Sequence, residues 1–232
     1  KLTRNSAGDL ELLAAEPGRY QLTPAKGKVQ QVEVVSVPAP VTLSGPWEVT
    51  FDPKWGGPAQ PVTFSALDDW SKRPEEGIRF YSGTARYRKP FEVPAALLGE
   101  GRSTVYLDLG RVAVMAEVKL NGKDLGILWK PPFRVDVTAA LKPGENLLEV
   151  KVVNLWINRQ IGDESLPEDS ERNPNGTLKV WPKWLEEGKP SPTGRFTFTS
   201  WRLYMKGDPL VESGLLGPAT LRTSVAVPVA AK

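Results

Sequence analysis

Proline and glycine interrupt this chain too often for long helices: 22 prolines and 21 glycines are spread through 232 residues. Proline has no backbone N–H to give to a helix, and glycine loses more conformational freedom than any other residue when held in one. The segments left between them are short and rich in β-branched and aromatic residues. Trp47-Glu48-Val49-Thr50-Phe51 alternates apolar and polar, as a half-buried strand must. Further strands are expected at 84–91, 103–109, 113–120, 123–128, 133–137 and 146–153, the last being the most strongly β in character. Asn121-Gly122, set between two of these runs, is the sharpest hairpin signal, because primed turns need positive φ at both positions. Many short strands joined by turns predict an all-β sandwich or barrel.

The residue types that are missing narrow the chemistry. With no histidine and no cysteine, neither a Ser-His-Asp or Cys-His centre nor a zinc–thiolate site can be assembled from this chain. Carboxylates, Lys, Tyr, Ser and Thr remain as catalysts. Asp163-Glu164 invites comparison with two-carboxylate glycosidases, but those set acid and base on opposite sides of the bond, which sequence neighbours rarely do. The net charge of +3 comes from interspersed groups, with Lys72, Arg73, Arg79, Arg86, Arg88 and Lys89 close to Glu75 and Glu76. A mixed surface of this kind points away from nucleic acid. No apolar run approaches the ~20 residues needed to span a bilayer, so no membrane partner is expected. Lys1-Leu2-Thr3 does not begin a signal peptide, so a leader is expected to have been removed or to lie upstream.

Three parts are expected along the chain. Residues 1–40 read as a β-hairpin extension and linker, with strands at Gly18–Thr23 and Val29–Val37 joined through Lys26-Gly27-Lys28, then Pro38-Ala39-Pro40. Residues 41–224 read as the main β-sandwich, and 225–232 as a tail. Between Ile157 and Pro192 periodicity fails, and loops of such length are usually functional or mobile. Strand structure is expected to resume at Arg195–Trp201, and Gly214–Arg222 to close the domain. Trp47, Phe51, Tyr87, Phe196, Phe198 and Trp201 lie in strand patterns and are expected in the core.

Three phrases carry a family resemblance: Gly45-Pro46-Trp47-Glu48-Val49, then Gly83-Thr84-Ala85-Arg86-Tyr87-Arg88-Lys89, then Val118-Lys119-Leu120-Asn121-Gly122-Lys123-Asp124-Leu125-Gly126. In this order and spacing, with Phe133-Arg134-Val135-Asp136-Val137-Thr138 after them, the chain resembles the sugar-binding domain of family 2 glycoside hydrolases. Asn154–Glu164, Trp201-Arg202 and Ser213-Gly214-Leu215-Leu216-Gly217-Pro218 look more particularly like the C-terminal region of family 106 α-L-rhamnosidase-like enzymes. The resemblance covers 41–222. It implies a galactose-binding-like jelly roll, a secreted bacterial enzyme acting outside the cell or in the periplasm on plant or algal glycans, and catalysis by carboxylates on a separate barrel. No alternation of strands with amphipathic helices marks that barrel here, so no catalytic residues are carried over. The fold type also accommodates a structural Ca²⁺ on hard oxygen ligands, with no ligands assignable from the sequence and no cofactor required.

Sugar rings are gripped by aromatic faces, with amides, carboxylates and guanidiniums bonding the hydroxyls. Trp129 and Lys130 precede Pro131-Pro132, which forbid regular pairing, so they belong on a loop. Asn154, Trp156, Asn158, Arg159, Asp163 and Glu164 follow the strongest strand, where the sheet opens into the excursion. Loops at one end of a sandwich converge, so these two segments form one candidate site; the competing reading makes Trp129 a lid on the core and Asn154, Arg159 and Asp163 a buried network. Trp181 and Trp184 form a second candidate, against a reading in which they are a satellite core of their own loop. The expectation is a monomeric, non-catalytic carbohydrate-binding module for oligo- or polysaccharide. The alternatives are an accessory domain that packs on the catalytic domain of its parent enzyme, and a small carboxylate-dependent hydrolase or lyase.

Overall fold

The computed structural model of the chain describes residues 1–5, 7–25, 28–98 and 103–229. The strands are β1 (Leu2–Arg4), β2 (Leu10–Ala14), β3 (Gly18–Leu22), β4 (Gln30–Val34), β5 (Val41–Thr42), β6 (Trp47–Thr50), β7 (Val62–Phe64) and β8 (Thr84–Val93). They continue with β9 (Ser103–Asp108), β10 (Arg111–Ala113), β11 (Met115–Leu120), β12 (Lys123–Leu128), β13 (Arg134–Asp136), β14 (Gly144–Val153), β15 (Gly214–Gly217) and β16 (Thr220–Pro228). Short helices α1 (Glu76–Arg79), α2 (Ala95–Leu98), α3 (Ile157–Asp163) and α4 (Lys183–Glu186) sit in the connections. None is long and apolar enough to cross a membrane.

Two sheets face one another. The first runs β1-β2-β16-β9-β13, with β5 also on β16, and the second runs β12-β11-β14-β8-β6-β7. Alternation decides which side chains meet between them: Trp47, Val49, Phe64, Tyr87, Val118, Leu148 and Val150 come from the second sheet, and Val105, Leu107 and Leu221 from the first. All ten are essentially sealed from solvent, and each such side chain contributes about 1.5–3 kcal/mol of hydrophobic stabilisation. The expected jelly-roll sandwich is therefore the fold.

Local chemistry sets the register. Asn121 (φ 52°) and Gly122 (φ 80°) turn β11 into β12 with both residues left-handed, as the sequence requires. The Asn121 side chain accepts from Leu147 N (2.9 Å) and donates to Ala140 O (2.8 Å) and Asn146 Oδ1 (2.8 Å). A second small core, built from Leu12, Ala14, Val32, Val34 and Val229, lies under the hairpin β3–β4. Lys26 and Gly27 of the expected turn lie outside the described residues.

Two expectations need correction. Val225 to Pro228, read as tail, form the second half of β16 and pair with Ala14 to Glu11 of β2; the sequence cannot show that a partner strand waits more than 200 residues away. Arg195 to Trp201, read as a strand, has no ladder. The backbone N–H groups of Phe196 and Thr197 donate to the Asp163 carboxylate instead, and Trp201 makes a single bridge to Thr177. Phe196 and Trp201 are consequently exposed rather than core.

Asp108 staples the end of the first sheet. Its Oδ2 accepts from Arg134 Nη2 at 2.7 Å, with Arg222 Nε 3.6 Å away, and its Oδ1 accepts from Gly110 N at 3.0 Å. Burial pushes its carboxyl up, but the bonds from Arg134 and Gly110 and the two guanidinium charges outweigh burial, and the net shift is downward. A depressed carboxylate contributes stability above its unfolded pKa of about 4 and loses it as pH falls through the folded value. Asp108→Asn is expected to lower stability at pH 7 by about 1 kcal/mol and to flatten the acid limb below about pH 4. Urea midpoints against pH test this, and identical acid limbs in the two proteins would refute it.

Candidate functional site

The outer face of the second sheet is hollowed into a groove of about 790 Å³. Side chains pointing outward from β6, β8, β14, β11 and β12 make its floor: Thr50, Arg86, Lys151, Glu117 and Ile127, with Met115 and Val153 beside them. Lys151 Nζ donates to Glu117 Oε1 at 2.7 Å. Trp55 and Trp156 form one wall, edge to face with ring centroids 5.0 Å apart and planes at 73°. They are 39% and 44% exposed, so ring surface remains open to the groove.

Each wall residue is held from behind. Trp55 ends a single 3₁₀ turn, Pro53–Trp55, in which Asp52 Oδ1 accepts from Lys54 N and Gly56 takes the left-handed conformation (φ 78°). A Cβ on Gly56 would lie 2.9 Å from the Phe196 ring, so both the positive φ and the close approach demand glycine. Trp156 immediately precedes α3, whose residues Asn158, Arg159, Ile161 and Asp163 are buried.

The predicted residues separate into two groups. Trp156 and Asn154 both line the groove. Asn154 Oδ1 accepts from Gly83 N (2.9 Å), and its Nδ2 donates to Tyr81 O (2.8 Å) and Ser213 Oγ (3.2 Å). Asn158 accepts from Val211 N (2.9 Å) and donates to Val211 O (2.8 Å) and Ser213 Oγ (3.0 Å). Asp163 Oδ2 accepts from Phe196 N, Thr197 N and Thr197 Oγ1, and its Oδ1 lies 3.0 Å from Arg159 Nε. Burial pushes the Arg159 guanidinium below its ordinary value, against the opposing charge of Asp163, and the rings of Phe80 and Phe196 flank it. The side chains of Asn154 and Asn158 thus hold residues 81–83 and 211–213, while Asp163 pairs with Arg159 and ties α3 to residues 196–197.

Glu164 pairs with Arg195 and Arg202. Trp181 and Trp184 pack on Phe198, and Trp184 Nε1 donates to Asp169 O. Trp129 is 66% exposed with the Lys130 ammonium over its ring, and neither lines the groove. The two loops expected to converge at one end therefore do not build one site. Among the described residues, no three acidic side chains come together as a metal ion would need.

Sequence reasoning missed Trp55, Arg86, Lys151 and Glu117. Trp55 was findable, because Asp52-Pro53-Lys54-Trp55-Gly56 is a cap–proline–glycine turn that leaves its aromatic residue outside the ladder.

Fold and groove together define a galactose-binding-like jelly-roll domain. Residues 68–182, which carry β8 to β14, match the sequence model of a family described as glycosyl hydrolase 2 galactose-binding domain-like. A curated protein of Formosa agariphila named "Putative beta-glucuronidase" is 46% identical over 94% of this chain. The solved structure of a rhamnosidase from Novosphingobium sp. PP1Y is 30% identical over 86% of the chain, with a TM-score of 0.64. The chain spans 18% of the first relative and 16% of the second. It corresponds to a small part of larger proteins.

Proposed function

We propose that this chain is a non-catalytic carbohydrate-recognition domain of a larger bacterial glycoside hydrolase acting on plant or algal glycans outside the cytoplasm. The observation that carries this reading is the Trp55–Trp156 wall beside a polar floor. Two aromatic faces offer stacking surface for the C–H faces of a pyranose, and Arg86, Lys151, Glu117 and Thr50 supply donors and acceptors for its hydroxyls. The groove is open rather than closed over, which suits a chain of sugars more than a single trapped one.

A glycan array followed by calorimetric titration of the best ligand tests the reading. Trp156→Ala is expected to weaken binding about thirtyfold, the effect of losing an aromatic anchor of roughly 2 kcal/mol. Trp129→Ala is expected to change it less than twofold. Absence of binding to every glycan refutes the proposal.

One observation favours a second reading. Val180, Trp181, Trp201, Leu203 and Met205 of the excursion are each more than half exposed, and the Thr177–Trp201 bridge draws the two segments side by side. Apolar patches of this kind mark interaction surfaces, and the matched relatives are several times longer than the chain. A chain that binds no glycan would have this ridge as its principal working surface, docked on the catalytic domain of its parent.

A further inference from the structure

The charges on the outer face of the second sheet fall into cross-strand rows, and one row breaks the alternation of sign. Next to the groove, Glu48, Arg88, Glu149, Lys119 and Asp124 stand opposite one another across five strands, alternating in sign throughout. Arg88 lies 3.3 Å from Glu48 and 3.9 Å from Glu149, and each cation of that row stands between two carboxylates. The row on the groove floor reads Thr50, Arg86, Lys151, Glu117, Ile127 by the same registers. Here two cations face each other directly, an arrangement that is destabilising on a sheet surface. Glu117 is already engaged by Lys151 at 2.7 Å, with Lys119 at 4.0 Å. Thr50 occupies the position where a carboxylate would have balanced Arg86. Asp52, the other acid lining the groove, caps its own turn through Lys54 N. Among the described residues no carboxylate forms an ion pair with Arg86.

We propose that this groove recognises an anionic sugar, with the Arg86 guanidinium as the receptor for its charged group and Lys151 as the second cation. The inference rests on the groove being a glycan site and names the class of glycan it takes. A guanidinium offers five N–H donors in a planar fork that matches a carboxylate or a sulfate two bonds at a time. An anion between Arg86 and Lys151 would remove the like-charge conflict that the row otherwise holds, while Trp55 and Trp156 stack on the ring that carries it. Neutral sugars bring no such compensation.

The test is calorimetric titration of the chain, Arg86→Gln and Arg86→Lys at pH 7 with three probes: a galacturonate oligosaccharide, a sulfated galactan oligosaccharide and a neutral xylo-oligosaccharide. Arg86 is exposed on a strand, so the variants keep the fold, and melting curves verify this. At least one anionic probe is expected to bind about tenfold tighter than the neutral one, as a charge-assisted bond warrants, with a salt dependence the neutral probe lacks. Arg86→Gln weakens anionic binding about tenfold more than it weakens neutral binding, which removes that advantage; Arg86→Lys, which keeps the charge without the fork, retains it only in part. Preference for either anion upholds the proposal, and the stronger one identifies carboxylate or sulfate. Equal binding of neutral and anionic probes, unchanged in Arg86→Gln, overturns the proposal but leaves the groove a glycan site. Binding of no probe, together with a blank array, overturns both.

Discussion

Replacing Asp163 by Ala is expected to destabilise the domain by about 3–5 kcal/mol, the cost of stranding a buried charge that has lost its partner. Asp163 is 1% exposed and holds Phe196 N, Thr197 N, Thr197 Oγ1 and Arg159. Its removal leaves the Arg159 guanidinium between two aromatic rings without the carboxylate that pairs with it. Asp163→Asn keeps an acceptor for the backbone and loses only the charge, so its loss should be smaller. The effect also reaches the groove. Phe196 abuts Gly56 and so supports the turn carrying Trp55, and loosening residues 196–197 is expected to weaken glycan binding severalfold without touching the groove directly. Urea midpoints and titrations on the same samples check both parts. A variant within 1 kcal/mol of the parent chain would show that the excursion is not anchored through this residue.

Trp70→Ala is expected to have a comparable effect, about 3–5 kcal/mol, for a different physical reason. Trp70 is fully buried and meets Phe51, Tyr81 and Tyr87 within ring distances of 5.4–6.4 Å. Truncation opens a cavity between the sheets and deletes the Nε1 donor that reaches the Tyr87 hydroxyl at 2.6 Å. That hydroxyl also accepts from Leu215 N at 3.2 Å, and burial pushes its pKa upward, so it stays protonated. Trp70→Phe retains most of the packing and is expected to lose less than half as much. Gly214 explains why the site tolerates nothing larger opposite: at φ 101° a Cβ there would drive into the indole. Near-ultraviolet circular dichroism with chemical unfolding measures the series, and a loss below 1 kcal/mol for Trp70→Ala would contradict this account of the core.

The sandwich was legible wherever a rule acts over a few residues. Asn121-Gly122 announced its hairpin through φ alone, and the alternation in β6, β8 and β14 sorted Trp47, Val49, Tyr87 and Val150 inward. What was not legible depends on partners far away in sequence. Phe196 and Phe198 alternate like a strand, but nothing local reveals that Asp163 takes the backbone donors of 196 and 197. Trp156 was found because it follows the strongest strand; its partner Trp55 lies about a hundred residues earlier, in a turn that reads as mere connection. The broken alternation on the groove floor is invisible in sequence for the same reason, since the neighbours of Arg86 are Thr50 and Lys151 only once the strands are in register.

The long strand β16 holds β9 along one half and β2 along the other. On a ribosome this imposes a waiting period. β9 is made more than a hundred residues before the strand that covers its edge, and β2 more than two hundred before. Until Thr220–Pro228 emerges, Val105 and Leu107 sit on a sheet lacking its central member, with unpaired backbone groups beside them, the condition in which strands recruit neighbouring chains. Closure of both edges therefore waits on the last strand, and the exposed interval lengthens with every residue made in between.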